Sequence, residues 1–208
     1  MEPVKGGSLL EARDLVKNHR EPLFRPLTFS LAPGEGVGIV GPNGCGKTTL
    51  LDIIAGIQKP DSGTVKLSGE VGYCMQNDGF MTSMTCRDTL LMEAAICGLR
   101  GKTASARVRL CAEICGVTSY MRKRVYQCSA GMRTRLSLAA ALIPGPDVLL
   151  LDETFSALDQ TSRGDVKRLL LEETRKGACL LLVSHNKDDF SGLCARLLRL
   201  PESEAEPL

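Results

Sequence analysis

The chain has 208 residues, 43% of them hydrophobic, which suits one large domain or a core with one subdomain. Lysine and arginine together number 26 against 24 acids, and a net charge of +2 leaves no electrostatic footprint for nucleic acid. Trp is absent, and three Tyr and five Phe are too few for an aromatic platform that stacks bases.

Residues 8–40 read as short strands. Leu27, Phe29 and Leu31 alternate with Thr28 and Ser30, and Pro33-Gly34 makes a turn. The run GVGIVGPNGCGKTTLL, 36–51, then carries Gly41-x-x-x-x-Gly46-Lys47-Thr48. Glycines let the backbone wrap a ligand with its N–H groups turned inward, and such a concave set of donors attracts an anion. The helix expected to begin near Gly46 adds the positive end of its dipole. Lys47 is placed to reach the β- and γ-phosphates of a nucleotide, and the Thr48 hydroxyl to ligate Mg²⁺. A glycine-rich hairpin is the plainer alternative, but the strand–loop–helix context of the phosphate-loop motif is present. Gly41, Pro42, Asn43, Gly44, Cys45, Gly46, Lys47, Thr48 and Thr49 are therefore candidate ATP contacts.

The following helix, 48–56, is stopped by Gly56 and Pro60. Strand returns over 64–75 with Val65, Leu67, Val71 and Tyr73. Between 85 and 126 the period changes: Leu90, Leu91, Ala94, Ala95 and Leu99 fall at helical spacing, as do Val108, Leu110, Ile114 and Val117. Gly98 and Gly101 break the first helix, and the segment reads as a helical insertion. A strong helix over 132–142 ends at Pro144 and Pro146. The apolar runs 148–151 and 179–183 have the length and continuity of buried parallel strands, with a helix over about 160–175 between them. This βαβ alternation predicts an open α/β sheet with helices on both faces. The tail 201–208 is acidic and expected to fray. No internal repeat is visible.

The run 148–151 leads straight into Asp152 and Glu153. Asp152 then sits at the carboxyl edge of the sheet, where ligands bind in open α/β folds, and is placed to hold a water on Mg²⁺. Glu153 could take a proton from an attacking water. Alone, the acid pair could equally be two solvated carboxylates at a helix cap; the phosphate loop upstream favours the functional reading.

Nine cysteines stand at 45, 74, 86, 97, 111, 115, 128, 179 and 194. The count is odd and no C-x-x-C pair occurs, so neither a zinc site nor a disulfide framework has support, and most should be small buried residues. Cys45 lies inside the phosphate loop and is expected to be sensitive to alkylation. No apolar run approaches the ~20 residues that span a bilayer, so the chain is expected to be soluble and to meet a membrane only through a partner. Arg107, Arg109, Arg122, Lys123 and Arg124 form a cationic cluster, either a solvated face or a contact with a membrane partner or anionic headgroups.

These residues resemble the nucleotide-binding domain of ATP-binding cassette (ABC) transporters over nearly the whole chain. GPNGCGKTT (41–49) is followed by Gln76 in GYCMQND, by LLLDE (149–153) running into SALD (156–159), and by VSH (183–185). The resemblance implies a phosphate-loop NTPase fold of ABC type. It has a mixed, mostly parallel sheet, an N-terminal antiparallel β part and a helical subdomain at about 85–126, inserted in a core of 8–84 and 127–200. It implies that Gln76 senses Mg²⁺ and the attacking water, that His185 contacts the γ-phosphate and holds that water with Glu153, and that Asp159 couples two sites across a dimer.

The family's hallmark segment is here Cys128-Ser129-Ala130-Gly131-Met132, where Leu-Ser-Gly-Gly-Gln is the commonest form. By itself it reads as a capped helix start, with Ser129 at the N-cap. By resemblance, Ser129, Ala130, Gly131 and Met132 would bind in trans the γ-phosphate held by a second subunit. Gly131-Met132 followed by Arg133, Arg135 and Leu136 is similar to ATPases of ABC-2 type exporters, which move drugs, peptides, lipids or polysaccharides. The Ser-Ala-Gly triplet is also similar to the haem-exporter ATPase of cytochrome c maturation, and a non-transport ABC ATPase of iron–sulfur assembly type is a further alternative. Family members usually stack an aromatic ring on adenine; His19 falls at that place, with Phe24 as an alternative and a solvated loop residue as the plainer reading of His19. With the cassette pattern ending near 201, the regulatory domain of many importers is not expected here.

The resemblance thus implies an ATPase using ATP and Mg²⁺, the metal at Thr48, Gln76 and Asp152. Lys47, Gln76, Glu153 and His185 form its catalytic set. It would pair with a second nucleotide-binding subunit, in a homo- or heterodimer, and with transmembrane permease subunits at the cytoplasmic face of the membrane.

Overall fold

In the computed structural model, which describes residues 7–19, 21–202 and 204–207, the chain opens with β1 (Leu10–Val16), the two-residue pair β2 (Asn18–His19) and β3 (Glu21–Pro22), and β4 (Leu27–Leu31). Then come β5 (Gly36–Val40), α1 (Lys47–Ile54), β6 (Ser62–Leu67) and β7 (Val71–Cys74). Helices α2 (Cys86–Ile96), α3 (Gly101–Ile114) and α4 (Ala130–Leu142) follow. The remainder is β8 (Val148–Asp152), α5 (Gln160–Arg175), β9 (Cys179–Val183), β10 (Arg196–Arg199) and β11 (Glu204–Pro207).

Strand β1 pairs antiparallel with both β4 and β6, and the alternation of β4 turns Leu27, Phe29 and Leu31 inward. The second sheet runs β11-β10-β5-β9-β8-β7. Its strands are parallel except for β11. The sequence suggests one stretch of strand over 64–75; the structure splits it between the sheets. The Glu70 amide, donating 2.9 Å to Asp147 Oδ2, ties the crossing point to the start of β8. The tail also departs from expectation. Instead of fraying, residues 204–207 add to the free edge of β10, because an exposed edge offers N–H and C=O partners whatever the side chains are.

Strands β8 and β9 are buried along their full length. Their period-two geometry sends Leu149, Leu151, Leu180 and Leu182 to one face, against apolar residues of α2, α3, α4 and α5. Val148, Leu150, Leu181 and Val183 face the other way, against Leu50, Leu51, Ile53 and Ile54 of α1 and the antiparallel sheet. Both faces are covered, so these strands have no polar face. Each fully buried leucine contributes about 1.5–3 kcal/mol of transfer free energy. Helix α4 lies directly on β7: a Cβ on Gly72 would stand 2.1 Å from the Ala141 carbonyl oxygen, so only glycine permits that approach.

The nine cysteines are all thiols, seven of them buried, with Cys97 exposed and Cys128 half-buried. Arg107 leaves the cationic cluster: its Nε donates to the Ile143 carbonyl at 2.9 Å and helps cap the end of α4. Among the described residues, no helix is long and apolar enough to cross a membrane.

Candidate functional site

Strands β5, β7, β8 and β9 run parallel, so their carboxyl ends share one edge. Register pairs Ile39 with Val183, Asp152 with Val183, and Cys74 with Leu151. The phosphate loop, Gln76, the acid pair and His185 all follow directly from these ends. Lys47, Thr48, Gln76, Asp152, Glu153 and His185 consequently line one cleft of about 560 Å³.

Gly46 ends the loop at φ 96, a left-handed backbone that an L side chain resists. A Cβ there would also meet Leu23 and Phe24 at 3.1 Å. Lys47 opens α1, and its Nζ donates to the carbonyls of Gly41 at 2.9 Å and Pro42 at 3.0 Å. The loop is thereby curled around its own ammonium group. Thr48 Oγ1 donates to Asp152 Oδ2 at 2.7 Å and joins the loop to the end of β8.

The carboxylates stand in poor solvation. Burial raises the pKa of Asp152, as does Asp52, against the lowering bond from Thr48 and the charge of Lys47. Burial likewise raises that of Glu153; His185 and Lys47 lower it and Asp152 raises it. Glu153 adopts φ 52, a left-handed conformation that costs a non-glycine residue on the order of 1–2 kcal/mol. Its Oε1 stands 3.3 Å from His185 Nε2. Asp152 Oδ1 and Glu153 Oε1 are buried without a hydrogen-bond partner. A hard cation takes oxygen ligands, and an orphaned carboxylate oxygen beside the Thr48 hydroxyl fits that chemistry.

Other candidates lie apart from this cleft. Ser129 caps α4, its Oγ accepting from the Met132 amide at 3.3 Å, and Ser129 and Ala130 are exposed. Residues 129–132 are not among those lining the phosphate-loop cleft. Asp159 caps α5, its carboxylate accepting from the Ser162 amide at 2.7 Å. His19 is exposed in the β2–β3 pair and does not line the cleft. Phe24 does not serve as the alternative adenine partner: its side chain is 1% exposed and packs beneath Gly46. Cys45 is also buried, its Sγ turned toward Gly41, so the expected alkylation sensitivity has no open thiol to act on.

Sequence reading missed the support of the His185 loop. Asp189, buried, accepts from Ser184 Oγ at 2.6 Å and from Arg163 Nη1 at 2.9 Å. The sequence signal available was a carboxylate shortly after Ser184-His185, but its partner Arg163 comes from α5.

A phosphate loop, a strand-end acid pair and a histidine on adjoining parallel strands define a phosphate-loop nucleotide hydrolase. The comparisons narrow the class. The family model described as ABC transporter matches residues 24–156. The taurine import ATP-binding protein TauB of Pseudomonas aeruginosa is 40% identical over 193 residues, covering 88% of this chain and 73% of that protein. The Nod factor export ATP-binding protein I of Paraburkholderia xenovorans is 36% identical over 188 residues, covering 85% of this chain and 62% of that protein. A dimeric bacterial ABC transporter cassette superposes with a TM-score of 0.86 at 20% identity, over 96% of this chain and 98% of that one. The chain belongs to the ABC transporter family and is an ATPase of that family.

Proposed function

We propose that this chain is the ATP-hydrolysing subunit of a transporter of the ABC-2 exporter type, acting as one half of a nucleotide-binding dimer on a transmembrane permease. The observation that carries the dimer is the exposure of Ser129 and Ala130 at the start of α4, outside the cleft that Lys47, Thr48 and His185 line. A helix N-terminus with free amide donors suits a phosphate held by another chain.

In this reading, the bonds from Lys47 to the Gly41 and Pro42 carbonyls are exchanged for phosphate oxygens when ATP enters. The loop amides and the start of α1 then bear on the same charge. Thr48 and Asp152 would hold Mg²⁺, which neutralises charge on the phosphates. Glu153, with its pKa raised by burial, is suited to receive a proton from water, and His185, 3.3 Å away, orients that water with it. Positioning and charge stabilisation supply most of the rate. Residues 129–132 of a second chain complete the site, so hydrolysis requires closure of two chains and can drive a partner. The exposed Met75, Met81 and Tyr126, on and beyond the Gln76 loop, offer that partner an apolar seat.

Two observations support export: the Gly131-Met132-x-x-Arg135-Leu136 pattern and the likeness to a Nod factor export protein. Import is the second reading, favoured by the higher identity to a taurine import protein. The test is affinity purification of the tagged chain from detergent-solubilised membranes, followed by mass spectrometry and ATP turnover. A co-purifying polytopic protein that stimulates turnover supports the proposal, and uptake or extrusion in vesicles carrying the pair decides direction. Recovery with soluble proteins alone refutes the transport reading.

A further inference from the structure

The Gln76 loop and the start of α4 are far apart in sequence but tied by one ion pair. Asp78 stands two residues after Gln76, and Arg133 one helical turn after Ser129. Arg133 Nε donates to Asp78 Oδ2 at 2.9 Å and Nη2 to Oδ1 at 2.8 Å, the planar two-point geometry that fixes direction as well as distance. The Asp78 side chain is 9% exposed. Its Oδ1 also accepts from the Phe80 amide at 3.1 Å, which locks the carboxylate to its own loop. On the other side, the Arg133 amide donates to the Ser129 carbonyl at 2.9 Å, and Tyr120 Oη donates to the Met132 carbonyl at 3.1 Å. Among the described residues, no other ion pair joins the loop 75–84 to α4. The pair borders a second cleft of about 410 Å³ that also holds Gln76, Ala130, Asp152 and Glu153.

We propose that Asp78 and Arg133 are positioning residues for hydrolysis. Their ion pair sets the orientation of the Ser129 helix start against the Gln76 loop, so that the state of one chain's phosphate cleft governs how the segment 129–132 is presented to a second chain. The inference rests on the site roles proposed above. A brace that only stabilises the fold would leave the kinetic split below unmoved.

The experiment uses the full chain with Asp78→Asn and Arg133→Lys, the second keeping the charge while losing the two-point contact. Single-chain ATP affinity is measured by titration and turnover by steady-state kinetics. ATP-dependent dimerisation is read by light scattering in the Glu153→Gln background. Each variant is expected to bind ATP as the parent does, to dimerise more weakly and to lose about tenfold in kcat, equal to about 1.4 kcal/mol of positioning. The charge-exchanged double variant, Asp78→Arg with Arg133→Asp, is expected to recover part of the dimer affinity lost by either single reversal. Parental kcat and dimer affinity in both conservative variants would overturn the link. So would a loss of single-chain ATP binding in step with thermal stability, since that is what a plain brace gives. Failure of Glu153→Gln alone to dimerise with ATP overturns the underlying site reading, and this result is seen before any Asp78 or Arg133 variant is made.

Discussion

Glu153→Gln should separate stability from turnover. The carboxylate is held with Oε1 buried and without a hydrogen-bond partner, on a backbone at φ 52. An amide of the same shape carries no charge to desolvate. The substitution leaves a polar atom buried at the same place and removes only the added cost of its charge, which the nearby His185 already offsets in part, so the gain is on the order of 1 kcal/mol. For a chain of this size that corresponds to a rise in Tm of about 2–4 °C. The pH dependence has a fixed sign. Because the folded-state pKa of Glu153 is raised, the native state binds more protons than the unfolded state between the ordinary carboxylate pKa, about 4.3, and the raised value. Wild-type stability therefore falls as pH rises through that window. The advantage of the variant appears above it and vanishes below it. Turnover should move the other way: loss of a general base costs about 10²–10⁴-fold, or about 3–5 kcal/mol of barrier. The assays are thermal unfolding without nucleotide across the acid range, ATP turnover, and size-exclusion chromatography with ATP, in which the variant should persist as a dimer. Wild-type turnover would refute the base assignment. A Tm no higher than wild type at neutral pH would refute the desolvation argument.

Lys47→Ala should abolish tight ATP binding in a fluorescence titration, and unchanged affinity would sink the phosphate-loop role. Arg163→Ala leaves the Asp189 carboxylate, 4% exposed, without its cation. A loss of about 3 kcal/mol is expected, at the low end for a broken buried pair, read as a lower Tm and a kcat that falls more than ATP affinity. Maleimide should modify Cys97, the exposed thiol, first, while Cys45, 8% exposed, reacts slowly with or without nucleotide. Rapid, nucleotide-protected labelling of Cys45 would show that the loop opens in solution.

Much of the site was legible without coordinates because its chemistry is local. Gly41 through Thr48 states a turn, a cation and a hydroxyl within one loop. The run into Asp152 states a buried strand that ends in acid, since four consecutive apolar residues demand cover on both faces. Helix α5 and strand β9 were legible at their observed limits for the same reason: periodicity and apolar continuity are properties of neighbouring residues. The family resemblance then suggested roles that no spacing states, such as those proposed for Gln76 and His185.

Tertiary structure decided what depends on distant partners. Strands β6 and β7 are separated by three residues, yet they join different sheets; the choice lies in β1 and β8, which offer the pairing edges. Residues 204–207 became a strand because backbone groups of β10 were free to pair, although the side chains argued for a frayed tail. Phe24 was a candidate ring for adenine until packing placed it under Gly46. The ion pairs Arg133–Asp78 and Arg163–Asp189 join segments 55 and 26 residues apart, and either arginine alone reads as a solvated surface charge. Local sequence determines which groups can do chemistry, because side-chain type and short spacing are enough for that. Their support comes from whatever the closed chain brings within about 3 Å, and only the fold fixes those distances.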